Sequence, residues 1–82
     1  MDETYERLVR CFERIFPDLD PNAIPGANTK NTAAWDSIAQ VTLVSLIGEE
    51  FGIDIDFEEF EEATSFDAVL QVVRARVANA RA

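Results

Sequence analysis

Apolar residues recur every three or four positions along three separate stretches of the chain, and this period predicts three amphipathic α-helices. The first helix is expected over residues 2–16, and Pro17 ends it because proline disfavours a helical conformation of the residue before it. Cys11 lies at the edge of the apolar stripe, where we expect a half-buried packing residue. The stripe itself consists of Tyr5, Leu8, Val9, Phe12, Ile15 and Phe16.

The second helix is expected to begin at Asp36 or Ser37 and to end near Phe51-Gly52. Aspartate is a favourable N-cap, and glycine suits the left-handed position after a helix. The core-facing side is predicted to hold Ala39, Leu43, Leu46 and Ile47. The opposite side holds Ile38, Val41, Thr42, Ser45 and Glu49. Two branched aliphatic side chains are therefore expected on the outer face of this helix.

Residues 18–34 separate the first two helices and show no period. Pro21 and the turn signal Pro25-Gly26 indicate a long ordered loop, which Ile24 is expected to pin to the core.

The last third of the chain predicts a connector and two further helices. Residues 53–56 alternate between apolar and acidic side chains over too short a length to predict a strand. Residues 57–62 predict a short helix with Phe57 and Phe60 inward, and Thr64 or Ser65 is expected to cap the last helix. The fold class is therefore all-α, with three main helices, one short helix and a long loop after the first, in a single domain over residues 1–82.

The net charge of the chain limits the classes of molecule that it is expected to bind. Sixteen acidic and seven basic residues give a formal charge of −9, which disfavours nucleic acid and anionic membranes and favours partners with basic patches. No segment has the features of a targeting signal or the length of a membrane span, so we expect a cytoplasmic location. We also expect a monomer.

Few residues in this chain could catalyse a reaction. There is no histidine to act as a base, and Cys11 is the single thiol, so an enzyme and a metal cluster are both disfavoured. Asp54, Asp56 and Glu58 have the first spacings of a calcium-binding EF-hand loop, but the glycine and the final glutamate of that loop are missing. We therefore expect no metal site.

Ser37 admits two interpretations on local grounds. A serine at a helix start is often a simple cap. The same position offers free amide donors and the positive end of the helix dipole, which would tolerate a phosphodiester, and a serine after a loop is accessible to a modifying enzyme.

The segment from Trp35-Asp36-Ser37-Ile38 to Glu49-Glu50-Phe51-Gly52-Ile53 resembles the signature of acyl and peptidyl carrier proteins. That signature has Asp-Ser-Leu, an aliphatic helix and an ending similar to Glu-Glu-Phe-Gly-Ile, and the resemblance extends over nearly the whole chain. It implies that Ser37 carries a 4'-phosphopantetheine arm, transferred from coenzyme A by a phosphopantetheinyl transferase. It also implies that the arm holds acyl or aminoacyl groups as thioesters for loading ligases, synthases or transferases, and that the carrier itself is not an enzyme.

The resemblance further implies partner contacts around the serine. Asp36 and Ile38 match the family residues on either side of it, and Val41, Thr42 and Glu49 lie on the same outer face. Trp35 resembles the corresponding residue of specialised stand-alone carriers that work with adenylating ligases, and we include it among the partner contacts.

Fatty-acid carriers usually have acidic residues along this helix face, whereas Ala39, Thr42, Ser45 and Gly48 stand at the matching places here. This departure favours a specialised biosynthetic pathway. The alternative function is an acidic helical protein-interaction module without a prosthetic group.

Overall fold

The protein folds as a bundle of α-helices joined by ordered loops. The computed structural model describes residues 2–81, and it describes side chains for residues 2–78. The α-helices are α1, Glu3–Ile15; α2, Ser37–Phe51; α3, Phe57–Phe60; and α4, Phe66–Arg81; a 3₁₀ helix spans Pro21–Gly26. Over residues 2–81 no β-strand is found, although an isolated antiparallel bridge pairs Asn28 with Ser65. The predicted all-α fold of three main helices and one short helix is confirmed.

α1 begins at an aspartate cap and buries one face. The Asp2 carboxylate accepts a hydrogen bond from the backbone N–H of Tyr5 at 2.9 Å, and the helix ends at Ile15. Cys11 is only 2% exposed, so the expectation of a half-buried position was wrong. The physical reason is that α2 packs against α1 and covers this flank as well as the centre of the stripe. The buried residues of α1 are Leu8, Cys11 and Phe12.

The segment between α1 and α2 has no helical period, but it is ordered by its own hydrogen bonds. The Asn28 side chain accepts hydrogen bonds from the backbone N–H groups of Lys30 and Asn31, each at 2.8 Å. Ile24 is fully buried, which confirms that it pins this segment to the core. The 3₁₀ helix around Ile24 was not predicted, because six residues with two prolines carry no readable apolar period.

α2 has the predicted cap at each end. The Asp36 carboxylate accepts a hydrogen bond from the backbone N–H of Ala39 at 2.9 Å, so the helix begins at Ser37. Gly52 follows the helix with φ of 61°, a left-handed conformation that a side chain would strain. The residues of α2 that are buried in the core are Leu43, Val44 and Ile47.

α3 is a single turn, and only one of its two phenylalanines faces the core. Phe60 is fully buried, whereas Phe57 is 38% exposed, so the prediction that both point inward was wrong. Phe57 is the first of the four residues of this helix, and its side chain lines an open groove beside α2 instead of entering the core. At the start of α4 the Ser65 hydroxyl accepts a hydrogen bond from the Ala68 backbone N–H at 3.1 Å, so Ser65 rather than Thr64 is the cap.

An aromatic cluster joins α1, the long loop and α4. The ring of Phe12 lies 5.2 Å from that of Trp35 and 5.0 Å from that of Phe66, both in edge-to-face arrangements that aromatic pairs prefer. Phe16 also contacts Trp35, with 5.8 Å between the ring centres. This cluster fixes the end of the loop directly before Ser37. Among the described helices, none has the length and apolar character needed to cross a membrane.

Candidate functional site

Ser37 is the first residue of α2, and its side chain is exposed. Capping of this helix is performed by Asp36, whose carboxylate and carbonyl accept hydrogen bonds from Ala39 and Gln40 respectively, each at 2.9 Å. The Ser37 hydroxyl is therefore not needed as the cap. Two backbone N–H groups before Ala39, those of Ser37 and Ile38, have no hydrogen-bond acceptor within residues 2–81. An oxygen-rich anion attached at Ser37 would find both these donors and the positive end of the helix dipole.

A groove of about 490 Å³ opens beside Ser37. Its walls are the end of the long loop, the first turn of α2, the short helix α3 and the residues that follow α3. The groove is lined by Thr29, Trp35, Asp36, Ser37, Gln40, Phe57, Glu61, Ala63 and Thr64. Ser37 therefore lies at the edge of a concave surface that carries both apolar and polar groups, and not on a flat helix face.

Backbone hydrogen bonds hold the loop side of this groove to the start of α4. The Thr29 N–H donates to the Thr64 carbonyl, and the Phe66 N–H donates to the Ala27 carbonyl, each at 2.9 Å. These two bonds flank the isolated bridge and fix the loop although it belongs to no sheet. The loop that forms this wall of the groove is thus hydrogen-bonded to residues more than thirty positions later in the chain.

Trp35 is a core residue and not a surface contact. Its side chain is 3% exposed, it packs against Phe12 and Phe16, and its indole N–H donates to the Gln40 side-chain oxygen at 2.6 Å. This burial conflicts with the expectation that Trp35 contacts partners directly, because almost none of its ring surface is available. Its exposed sequence neighbour Asp36 gave no indication that the rings of Phe12 and Phe16 cover Trp35.

The outer face of α2 carries the other predicted contact residues at the surface. Ile38 is 78% exposed and Val41 is 52% exposed, so both branched aliphatics face solvent, as predicted from the helical wheel. Thr42 and Glu49 are exposed too, and the Thr42 hydroxyl donates back to the Ile38 carbonyl at 3.1 Å. Asp36 is exposed in addition to its capping role. Between Ile38 and Glu49 this face has no charged side chain.

Ion pairs fix the elements at the two ends of the site. At the far end of α2, the Arg7 guanidinium donates to the Glu50 carboxylate at 2.9 Å and lies 4.6 Å from the centre of the Phe51 ring. At α3, Arg76 of α4 binds the Glu59 carboxylate, and this hydrogen bond lowers the pKa of Glu59. The first pair links α1 to α2, and the second links α4 to α3.

Cys11 is not suited to react. Burial, with a smaller contribution from the nearby Glu50 carboxylate, raises the pKa of its thiol to about 11. The thiolate would be scarce at neutral pH, and the thiol is not accessible. In the described part of the chain no group of three or more histidine, cysteine or acidic side chains is arranged to hold a metal ion.

A family model described as a phosphopantetheine attachment site matches residues 6–73 of this chain. The match runs from α1 through α2 and α3 into α4 and includes every wall of the groove beside Ser37. The chain belongs to the acyl and peptidyl carrier family. No curated protein and no solved structure gives a significant match. The prosthetic group of such a carrier is covalently attached 4'-phosphopantetheine, and carriers of this kind generally hold reaction intermediates rather than catalyse reactions.

Gln40 and Phe57 line the groove of the carrier, but the sequence did not predict a place there for either residue. Gln40 was invisible because one glutamine in a helix carries no pattern, and only the fold brings its amide against α3. Phe57 was assigned to the core, although its exposure and its place on the groove wall could have been suspected from its position at the end of a very short helix.

Proposed function

We propose that Ser37 is the attachment point of the 4'-phosphopantetheine arm, and that the carrier presents acyl or aminoacyl thioesters to the enzymes of a specialised biosynthetic pathway. The observation that carries this proposal is the exposed Ser37 hydroxyl at the first residue of α2, left free because Asp36 caps the helix. Residues 1–82 would act as a single carrier domain without catalytic activity of their own.

Attachment requires Ser37 to act only as an acceptor. A phosphodiester bond forms between its Oγ and the phosphorus of the arm, and the phosphoanhydride bond of coenzyme A breaks. Adenosine 3',5'-bisphosphate leaves with the electron pair of that bond, and the hydroxyl proton passes to a base. We propose that the transferase supplies both the base and the magnesium ion, so that this chain contributes only the Ser37 hydroxyl. The free N–H groups of the first turn of α2 would then face the new phosphate.

The direct test is a transfer reaction with coenzyme A and a transferase of broad specificity, followed by intact-mass spectrometry. The unmodified chain should gain the mass of one arm, and Ser37→Ala should gain none. Ser45→Ala is the matched control, because Ser45 is exposed on the same helix and should not be needed. The proposal fails if the transferase modifies a known carrier but leaves this chain unchanged, or if Ser37→Ala is still modified.

We further propose that partner enzymes dock on the outer face of α2, with Asp36, Ile38, Val41, Thr42 and Glu49 as contacts. Ile38 and Val41 are the two most exposed large hydrophobic side chains of the described residues, and no core explains them. Burying the exposed parts of both side chains against a partner would gain about 2–4 kcal/mol in total, since full burial of one such side chain contributes about 1.5–3 kcal/mol and Val41 is already half-buried. The absence of acidic side chains between Ile38 and Glu49 favours a partner whose socket is apolar and neutral rather than strongly basic.

Kinetics of transfer would test this docking face separately from attachment. Ile38→Ala and Val41→Ala should lower kcat/KM for the carrier while leaving its thermal midpoint unchanged, since both side chains are exposed. For Asp36 the informative change is Asp36→Asn, because asparagine caps a helix as well as aspartate does and only the charge is lost. Unchanged kcat/KM in all three variants would contradict the docking face. Partner binding that survives Ser37→Ala, in a chain that no transferase modifies, would instead support an interaction module without a prosthetic group.

Two remaining proposals concern the oligomeric state of the carrier and its cargo. The charge of −9 disfavours association of identical chains, so we propose a monomer, to be checked by light scattering after size-exclusion chromatography. Its cargo is an acyl or aminoacyl group loaded by a dedicated ligase, synthase or transferase, and mass spectrometry of the loaded thioester would identify its class.

A further inference from the structure

The side chain of Gln40 connects three segments that surround the groove. Its oxygen accepts the indole N–H of Trp35 at 2.6 Å, and its nitrogen donates to the Phe60 carbonyl at 2.7 Å. The same nitrogen lies 3.5 Å from the Ala63 carbonyl, a longer contact. Gln40 lies three residues after Ser37, so the two share a face of α2 at the edge of the groove. One amide therefore joins the loop wall, the attachment helix and the end of α3.

Gln40 provides the side-chain hydrogen bonds that link α2 to α3. Among residues 2–81, the bonds from Gln40 are the only hydrogen bonds between side chains of α2 and the segment from α3 to the start of α4. α3 itself has four residues and no side-chain cap. α3 is also held by the buried ring of Phe60 and, on its outer side, by the ion pair between Glu59 and Arg76. A single turn with so few ties would shift easily if the link to α2 were lost.

Gln40 places a polar amide at a half-buried position of α2, where an apolar side chain would be expected. Gln40 is half-buried on a helix whose inward neighbours are Leu43, Val44 and Ile47, and an aliphatic residue there would pack without desolvating an amide. The amide is retained with both ends bonded, and no buried side-chain nitrogen or oxygen in the described chain lacks a partner. A fully satisfied polar link specifies one arrangement of the groups it joins.

We infer that Gln40 is a positioning residue that fixes the width of the groove beside Ser37 before any arm is attached. It does so by holding the Trp35 loop and the end of α3 at set positions on either side of the first turn of α2. The functional meaning rests on the proposed attachment at Ser37, because the groove then forms the immediate surroundings of the arm. The geometry of the link itself does not depend on the arm.

Two substitutions separate the two ends of the link. Gln40→Leu has a similar size and removes both hydrogen bonds. Gln40→Glu keeps the acceptor for the Trp35 indole but, when ionised, cannot donate to the Phe60 carbonyl. The matched controls are Gln71→Leu and Gln71→Glu, which make the same chemical changes at the exposed glutamine of α4.

The readouts are taken on the chain without the arm. Hydrogen exchange of the backbone amides of residues 57–64 reports on α3, and those of α1 serve as an internal reference for global unfolding. Emission from Trp35 reports on the other end, since it is the single tryptophan. Gln40→Leu should speed exchange at residues 57–64 at least about tenfold relative to α1 and change the wavelength of Trp35 emission. The Gln71 variants should change neither.

Gln40→Glu gives the sharper result. Near neutral pH it should speed exchange at residues 57–64 while leaving the Trp35 emission near that of the unmodified chain. When the introduced carboxyl is protonated at low pH, its O–H again donates to the Phe60 carbonyl, and protection should return toward that of the unmodified chain at the same pH. The comparison at equal pH cancels contributions from the neighbouring carboxyls, which are the groove residues Asp36 and Glu61 and the Glu59 partner of Arg76. Loss of packing alone would produce neither the split between the two readouts nor the recovery.

The inference is overturned if exchange at residues 57–64 in Gln40→Leu matches the Gln71 controls, or if exchange rises equally in α1. It is also overturned if, at low pH, exchange at residues 57–64 in Gln40→Glu stays as much faster than in the unmodified chain as it is near neutral pH. Failure of arm transfer to Ser37 would refute the proposed function and leave these measurements intact, since they need no arm.

Discussion

Replacement of Trp35 by alanine distinguishes a core role from a partner contact. The indole is 3% exposed and packed between Phe12 and Phe16, so its removal leaves a cavity at the centre of the aromatic cluster. Substitutions of buried tryptophan by alanine cost about 3–5 kcal/mol. A domain of 82 residues has a total free energy of unfolding of about 4–12 kcal/mol. The substitution should therefore remove a large part of the stability of the carrier.

Trp35→Phe separates the packing contribution from the hydrogen bond. Phenylalanine keeps much of the ring contact but leaves the Gln40 oxygen without its indole donor, which costs about 1–3 kcal/mol when the acceptor stays buried. We expect this variant to lie between the unmodified chain and Trp35→Ala. Ile38→Ala is the control from the other side of Ser37, the proposed attachment site. Ile38 is 78% exposed, so the change should stay within about 0.5 kcal/mol.

Urea unfolding followed by far-ultraviolet circular dichroism is the suitable assay, because the substitutions remove the tryptophan fluorophore. With a slope of about 1 kcal/mol per molar urea, Trp35→Ala should lower the midpoint by about 3 M or leave the chain unfolded without urea. Ile38→Ala should show the reverse behaviour, with an unchanged midpoint and slower arm transfer. A Trp35→Ala variant of nearly normal stability that is a poor transferase substrate would refute the core assignment and restore Trp35 as a partner contact.

Three further predictions concern stability and reactivity. The pKa of Glu59 is lowered in the folded chain by its bond with Arg76, so its stabilising contribution is present above the pKa of the unfolded chain and is lost as pH falls through the folded value. Thermal midpoints measured from pH 7 down to pH 3 should therefore fall less steeply in Glu59→Gln, and Arg76→Gln should have the same effect. Gly52→Ala should lower the thermal midpoint through a cost of about 1–2 kcal/mol at its left-handed φ, whereas Gly48→Ala, within the helix, should leave it unchanged or raise it. Cys11 should react with a thiol reagent at pH 8 only after unfolding, because burial raises its pKa to about 11; rapid labelling of the native chain would contradict its placement.

Features that depend on nearby residues were the most accessible from the sequence. Asp36 and Gly52 mark the two ends of α2 because capping is decided by one or two residues and the backbone next to them. The exposure of Ile38 and Val41 followed from the helical wheel, since their direction relative to the core side of α2 is fixed by the helix itself.

Features decided by distant contacts could not be obtained in this way. Trp35 stands next to an exposed Asp-Ser pair, and its burial depends on rings from α1, about twenty residues earlier. The role of Gln40 depends on the Phe60 carbonyl, twenty residues later, and no local pattern indicates that acceptor. Even the choice between Asp36 and Ser37 as the cap required the backbone, because both residue types are good caps.

The two sides of α2 now have separate physical explanations. Its inward side is apolar because Leu43, Val44 and Ile47 complete the core. Its outward side is apolar at Ile38 and Val41, where exposure to water gives the isolated chain no hydrophobic stabilisation. In a chain with sixteen acidic residues, the lack of a charge on this face between Ile38 and Glu49 is not a consequence of composition. A face that contributes little to folding but would gain free energy when buried fits the docking surface that we propose, and it lies directly beside Ser37, the serine that we propose to carry the arm.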